Sequence, residues 1–124
     1  MAAPRDDIGE QLAAWGKVAR IETRRRATGG RAFAPVGFIE DSDGSLLVAA
    51  GSPDADWARN LEADPHAVVT IEDRSIDVIA EPLSGDTANR AVVGLILKYG
   101  TPAERLGRGP TFRLVLAARP PGDR

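Results

Sequence analysis

Asp56-Trp57-Ala58-Arg59-Asn60-Leu61-Glu62-Ala63-Asp64-Pro65, followed at once by Ala67-Val68-Val69-Thr70-Ile71, is the stretch that decides the fold. Pro65 has no backbone N–H and disfavours helix in the residue before it, so a short helix over Ala55 to Ala63 must stop there. Trp57 and Leu61 stand four apart and share one helix face, the face expected to be buried, while Arg59 and Asn60 project elsewhere. The chain then enters a β-branched strand with no spare residues. An ordinary amphipathic turn feeding a strand would have the same local pattern, so the flanking sequence has to decide.

Upstream, Val18 to Thr23 alternates as a first strand. Arg24 to Arg31 is basic and glycine-containing, hence a hairpin tip. Ala32 to Glu40 extends as a second strand, with Pro35 arguing for an edge or a bulge. Asp41-Ser42-Asp43-Gly44 is a hairpin turn, since Gly tolerates positive φ. Ser45 to Ala50 is a third strand and Gly51 to Asp54 a loop. Before all of these, Asp6 or Asp7 caps a helix carrying Ile8, Leu12 and Trp15 on one side and ended by Gly16, within residues 1–17.

Downstream, Ala67 to Glu72 and Ser75 to Leu83 form a hairpin around Asp73-Arg74. Ile76, Val78 and Ala80 alternate with Asp77, Ile79 and Glu81. Gly85 to Tyr99 is the longest helix, with Ala88, Ala91, Val92, Leu95, Ile96 and Tyr99 on one stripe. Gly100 fits a left-handed C-terminal residue. A loop with one helical turn at Ala103–Leu106 leads to a last strand, Thr111 to Ala118, and a proline-rich tail, 119–124. Six strands with hairpin connections and interposed helices predict an antiparallel barrel in the mainly β, α+β class.

A chain of 124 residues is one domain with a single modest core. Hydrophobic residues make up 43% and charged residues 27%, a globular composition. The net charge of −2 exerts no pull on nucleic acid or anionic membrane. With no cysteine, disulfides, thiolate catalysis and thiolate metal sites are excluded. The apolar runs fall well short of the roughly 20 residues a membrane span needs. Met1 to Asp7 lacks the features of a signal peptide, so the expected setting is the cytoplasm. Arg outnumbers Lys fourteen to two, a bias that fits a GC-rich genome better than a function.

Four arginines, Arg24, Arg25, Arg26 and Arg31, surround Thr28-Gly29-Gly30. Guanidinium forks grip phosphate through paired hydrogen bonds, and glycine lets backbone N–H groups approach an anion. The alternative is a tip of solvated charge. His66, the lone histidine, cannot build a multi-histidine metal site, and no metal site is expected. No nucleophile elbow is present for a Ser-His-Asp triad.

The Trp-x-x-Asn-Leu-x-Ala-x-Pro pattern at Trp57–Pro65, with Arg25-Arg26-Ala27-Thr28-Gly29 about thirty residues before it, resembles the deazaflavin-dependent nitroreductase and quinone reductase family. These are six-stranded split β-barrels, similar to the FMN-binding fold, that hold coenzyme F420. The match of element order and motifs spans roughly Thr23 to Arg119. The resemblance implies that the hairpin contacts the cofactor's anionic tail. It assigns Arg24, Arg26, Thr28, Gly29, Gly30, Pro35, Ser52, Trp57 and Asn60 to cofactor binding. Tyr99, the only tyrosine, falls where the family carries one near the substrate pocket, and would donate a hydrogen bond to a developing oxyanion. The competing role for Tyr99 is the end of the packing stripe. Two departures stand out: the family lysine is Ala27, and its Ser-Lys-Gly-Gly phosphate loop is replaced by Gly51-Ser52-Pro53-Asp54.

The implied activity is hydride transfer from reduced F420 to a small-molecule electron acceptor: a quinone, nitro compound or activated alkene. Two alternatives stay open, an FMN-binding split-barrel oxidoreductase and a non-catalytic ligand carrier of the same fold. Split barrels of this kind often pair as homodimers.

Overall fold

A computed structural model describes residues 18–99 and 109–117. The expected first helix, the Gly100 C-cap, the turn at Ala103–Leu106 and the tail lie outside the described residues. Among those described, seven strands form one antiparallel sheet: β1 (Ala19–Arg24), β2 (Arg31–Val36), β3 (Ile39–Glu40), β4 (Leu46–Ala49), β5 (His66–Ile71), β6 (Arg74–Leu83) and β7 (Thr111–Leu116). Helix α1 (Asp56–Ala63) joins β4 to β5, and α2 (Gly85–Tyr99) joins β6 to β7. The strand order is β2-β1-β5-β6-β7-β4-β3.

Strand alternation selects which side chains enter the core. Ala19, Ile21 and Thr23 of β1 are buried while Arg20 and Glu22 are not. Val36 and Ile21 from one end of the strand order share a single cluster with Leu46 and Val48 from the other end. The sheet therefore curls around one interior as a split barrel. β4 is buried on both faces, which its uninterrupted Leu46-Leu47-Val48-Ala49 run requires. One face lines the barrel, and the other is left for α2, which crosses β4 and buries Ala91 and Leu95.

The structure corrects the count of six strands. The expected second strand, Ala32 to Glu40, breaks at Gly37-Phe38 into β2 and β3, which lie at opposite edges of the sheet. The C-terminal end of α2 causes the break. The Phe38 N–H donates to the Tyr99 hydroxyl at 3.1 Å, and Lys98 Nζ donates to the Phe38 carbonyl at 2.6 Å. With both peptide groups bonded to side chains, Phe38 takes no place in a ladder. Pro35 stands on the β2 edge, where its missing N–H removes no sheet bond.

Gly37 leaves room for the Tyr99 ring. A Cβ there would stand 2.9 Å from Tyr99 Cε2 and 3.3 Å from Cζ. Gly37→Ala should therefore destabilise by about 1–3 kcal/mol, as overpacking does. An unchanged urea midpoint would mean that the ring swings clear at no cost.

The β3–β4 hairpin is clasped to β7. Arg113 Nη1 donates to Asp41 Oδ2 at 2.6 Å and to Ser45 Oγ at 2.9 Å, and Asp43 Oδ2 lies 3.4 Å away. The Arg113 hydrogen bond, then the Ser42 N–H, hold the Asp41 carboxyl below the usual carboxylate range. The Ser45 hydroxyl and N–H do the same for Asp43. A depressed folded-state pKa gives stability that is complete above the unfolded value and is lost as pH falls through the folded one. Asp41→Asn should thus lower the melting temperature by a constant amount above about pH 5 and by progressively less below about pH 4. A gap that widens with acid would contradict this assignment.

Candidate functional site: the cleft between the arginine hairpin and α1

The β1–β2 hairpin tip folds on itself before it touches anything else. The Arg25 N–H donates to the Gly30 carbonyl at 2.7 Å, and the Gly29 N–H to the Arg25 carbonyl at 2.9 Å. The Gly30 N–H donates to Thr28 Oγ1 at 3.1 Å. Gly29 adopts φ +75°, the left-handed conformation that makes glycine fit there. Both glycine amides, expected from sequence to face an anion, are thus used within the tip.

The tip is then tied to α1. Arg26 Nη1 donates to Asn60 Oδ1 at 2.7 Å and to the Asp56 carbonyl at 3.1 Å, and Nη2 lies 3.4 Å from Asp56 Oδ1. Asn60 Nδ2 donates to Thr23 Oγ1 at 3.0 Å. Thr23 and Asn60 are only 3% and 4% exposed. One buried amide therefore joins β1, the hairpin tip and the helix.

Two clefts flank the tip. The first, about 450 Å³, lies between tip and helix and is lined by Arg25, Arg26, Thr28, Phe33, Trp57 and Asn60 among others. Trp57 is half-buried against the core, its ring centroid 6.2 Å from that of Phe112. Phe33 on β2 is 59% exposed, a free aromatic face. The second cleft, about 410 Å³, opens on the other side and takes in Arg24, Gly29, Gly30, Arg31, Glu22 and His66. Its cations are near acids: Arg24 Nε is 3.7 Å from Asp64, and Arg31 Nε 3.4 Å from Glu22. His66 donates its backbone N–H to Asp64, and its Nδ1 lies 3.0 Å from the same oxygen. Those two contacts, with Arg24 behind them, hold the Asp64 carboxyl below its usual range.

Of the residues assigned to cofactor binding by sequence, Arg26, Thr28, Trp57 and Asn60 meet in the first cleft. Arg24, Gly29 and Gly30 line the second. Pro35 and Ser52 line neither, and nor does Tyr99, which the sequence had placed at the substrate pocket as a hydrogen-bond donor. Tyr99 sits with its hydroxyl on the Phe38 peptide, accepting from N–H and reaching the carbonyl at 3.3 Å. Ser52 Oγ accepts the Asp54 N–H at 3.1 Å, and Asp54 in turn lies 3.5 Å from Arg59, which projects outward as expected. Thr23 and Phe33 went unnoticed in the sequence. Thr23 looks like any β-branched strand residue, and Phe33 like a core aromatic; only the register Glu22↔Phe33, Thr23↔Ala32 turns the first inward and the second outward.

Among the described residues no three His, Asp or Glu side chains gather as a metal site. No helix among them is long and apolar enough to cross a membrane.

No curated protein matches the sequence. Solved structures do. The haem storage protein HutZ from Vibrio cholerae is 20% identical, with a TM-score of 0.69 over 94% of this chain and 90% of that one. An F420-H2 dependent reductase, FDR-A, is 22% identical, with a TM-score of 0.66 over 79% of this chain and 93% of that one. A protein described as a domain-swapped dimer is 21% identical, with a TM-score of 0.66 over 90% and 99%. At these identities the likenesses establish the split-barrel fold and nothing finer. Residues 3–105 match the model of the F420H(2)-dependent quinone reductases, and the chain belongs to that family.

Proposed function

We propose that this protein is a reductase that holds coenzyme F420 in the cleft between the arginine hairpin and α1 and delivers hydride to a small electron acceptor, a quinone, nitro compound or activated alkene. The observation that carries this reading is the Arg26–Asn60 bond, 2.7 Å long, which brings the two halves of the family signature together on one cleft. The residues there fit the group. An arginine-rich wall suits an anionic tail, and the faces of Phe33 and Trp57 suit a flat ring. Reduced F420 supplies the hydride when bound, so the protein has to bind, orient and exclude water rather than provide strong acids or bases.

In this reading the hydroxyl of Thr28 and the two arginines that line this cleft, Arg25 and Arg26, form the wall that meets the tail. Ala27 contributes no charge where the family has lysine. In the loop that replaces the phosphate loop, Ser52 still offers a hydroxyl proton. Tyr99 is the donor toward the acceptor, and its present bond to the Phe38 peptide defines the test. Tyr99→Phe should lower turnover about a hundredfold if the hydroxyl aids the transition state. If it is only a strap, turnover stays and stability falls by about 0.5–1.5 kcal/mol.

The missing lysine and the acidic loop favour one second reading, a carrier of the same fold that binds a ligand without turnover. Titration with F420 and with FMN, followed by oxidation of reduced F420 with a quinone, separates the readings. Tight F420 binding with quinone-dependent oxidation supports the reductase. FMN uptake alone points to a flavin protein. Binding without turnover points to a carrier. The domain-swapped relative motivates a homodimer, which size-exclusion chromatography with light scattering would detect.

A further inference from the structure

The four arginines of the hairpin are not equivalent. Arg24 and Arg31 belong to the second cleft, and each has a carboxylate near its Nε, Asp64 and Glu22 respectively. Arg26 faces the first cleft but is fastened to α1 through Asn60 and both the carbonyl and the carboxylate of Asp56. Its charge is opposed by Asp56, and both of its terminal nitrogens are engaged by α1. Arg25 differs from all three in that, among the described residues, no carboxylate lies within ion-pair distance of it. Its Nε donates to the Arg31 carbonyl at 3.2 Å, which fixes the side chain across the tip. Its two terminal nitrogens have no partner among the described residues.

The geometry points to Arg25 as the one residue that grips the anion in the first cleft, and to Arg26 as a positioning residue that holds the tip in place. This rests on the cleft being the cofactor site and says which part of the ligand is recognised. An Nε that is already bonded leaves two terminal N–H groups side by side, a fork matched to two oxygens of one phosphate group. With Arg26 balanced by Asp56, the wall carries a single uncompensated positive charge. The favoured ligand is therefore a flat heterocycle bearing one phosphate within reach of Arg25. Further anionic groups on its tail would find no second free cation on this wall. Thr28, on the same cleft, adds a hydroxyl donor.

Fluorescence titration of the full-length protein with F420 tests this across Arg25→Ala, Arg25→Lys, Arg26→Ala, Arg24→Ala and Arg31→Ala. Arg25→Ala should weaken binding tenfold or more and flatten its dependence on salt, because the screened charge is gone. Arg25→Lys should recover part of the affinity and the full salt dependence, since lysine keeps the charge and loses the fork. Arg26→Ala should weaken binding while keeping the salt dependence and lowering the melting temperature. Arg24→Ala and Arg31→Ala should stay within twofold of the parent. Parent-like affinity in Arg25→Ala, or an equal loss in Arg24→Ala or Arg31→Ala, overturns the assignment. If the parent takes up neither F420 nor FMN, the cofactor reading of the cleft fails, and inorganic phosphate becomes the probe. Saturable amide shifts at Ala27 and Thr28 in the parent that vanish in Arg25→Ala would then uphold Arg25 as the anion grip. No shifts in the parent would overturn that too.

Discussion

Phe112→Ala should lower the stability of the fold by about 3–5 kcal/mol, the usual result of emptying a large buried aromatic site. Phe112 is 1% exposed and heads the fully buried side chains by volume. It sits on β7 between Pro82 of β6 and Val48 of β4, and its ring meets Trp57 of α1 at an interplanar angle of 58°. The cavity would open where sheet and helix meet, so little can collapse into it. Domains of this size are stable by only about 5–15 kcal/mol, and the variant should unfold at a far lower urea concentration. Trp57→Ala should cost less, since Trp57 is half-buried, and the double variant should lose less than the sum because the two rings touch. A loss below about 1 kcal/mol for Phe112→Ala would mean that the site repacks freely.

The second large effect is expected at Asn60. Asn60→Leu keeps the size of the side chain but removes the acceptor for Arg26 and the donor to Thr23. A buried polar group left unsatisfied costs about 1–3 kcal/mol, and with two partners stranded the total should be about 2–4 kcal/mol. Asn60→Asp should lose much less, because a carboxylate still accepts from Arg26 and the Thr23 hydroxyl can turn to donate. Hydrogen exchange at Arg25, Gly29 and Gly30 should accelerate in Asn60→Leu, since their amide bonds lie in the tip that Asn60 anchors. Equal stability of Asn60→Leu and the parent would show that the tip stands without its tie.

Much of the architecture was legible because local patterns agreed with one another. Helix α2 spans Gly85–Tyr99 as expected, with Ala91 and Leu95 of its apolar stripe buried, and β6 alternates as its sequence does. Leu61 is buried and Arg59 is exposed, as the spacing around Trp57 implied. The break at Gly37 was not legible, because its cause, Tyr99 and Lys98, lies about sixty residues away and no window of sequence contains both sides. The same holds at the site. Clustered arginines announced an anion, but which of them is spoken for depends on Asp56, Asn60, Asp64 and Glu22, brought near only by folding. Asn60 was expected to project away from the Trp57 face. It does, yet that direction leads into the protein toward Thr23 rather than to solvent.

The interruption at Gly37-Phe38 closes a loop of connectivity. Moving from β2 through the sheet to β3 crosses six hydrogen-bonded strand pairs. Moving from β2 to β3 along the backbone takes two residues. The two rims of the sheet are thus joined by a covalent hinge rather than by a ladder, and the sheet has to roll up because its first and last strands share one tether. A chain cut between Gly37 and Phe38 would keep every strand pairing and every register, yet nothing in the ladder would then hold the rims together. Curvature in this molecule is to that extent a property of the bonded chain and of the Tyr99 grip on it, not of the hydrogen-bonded sheet alone.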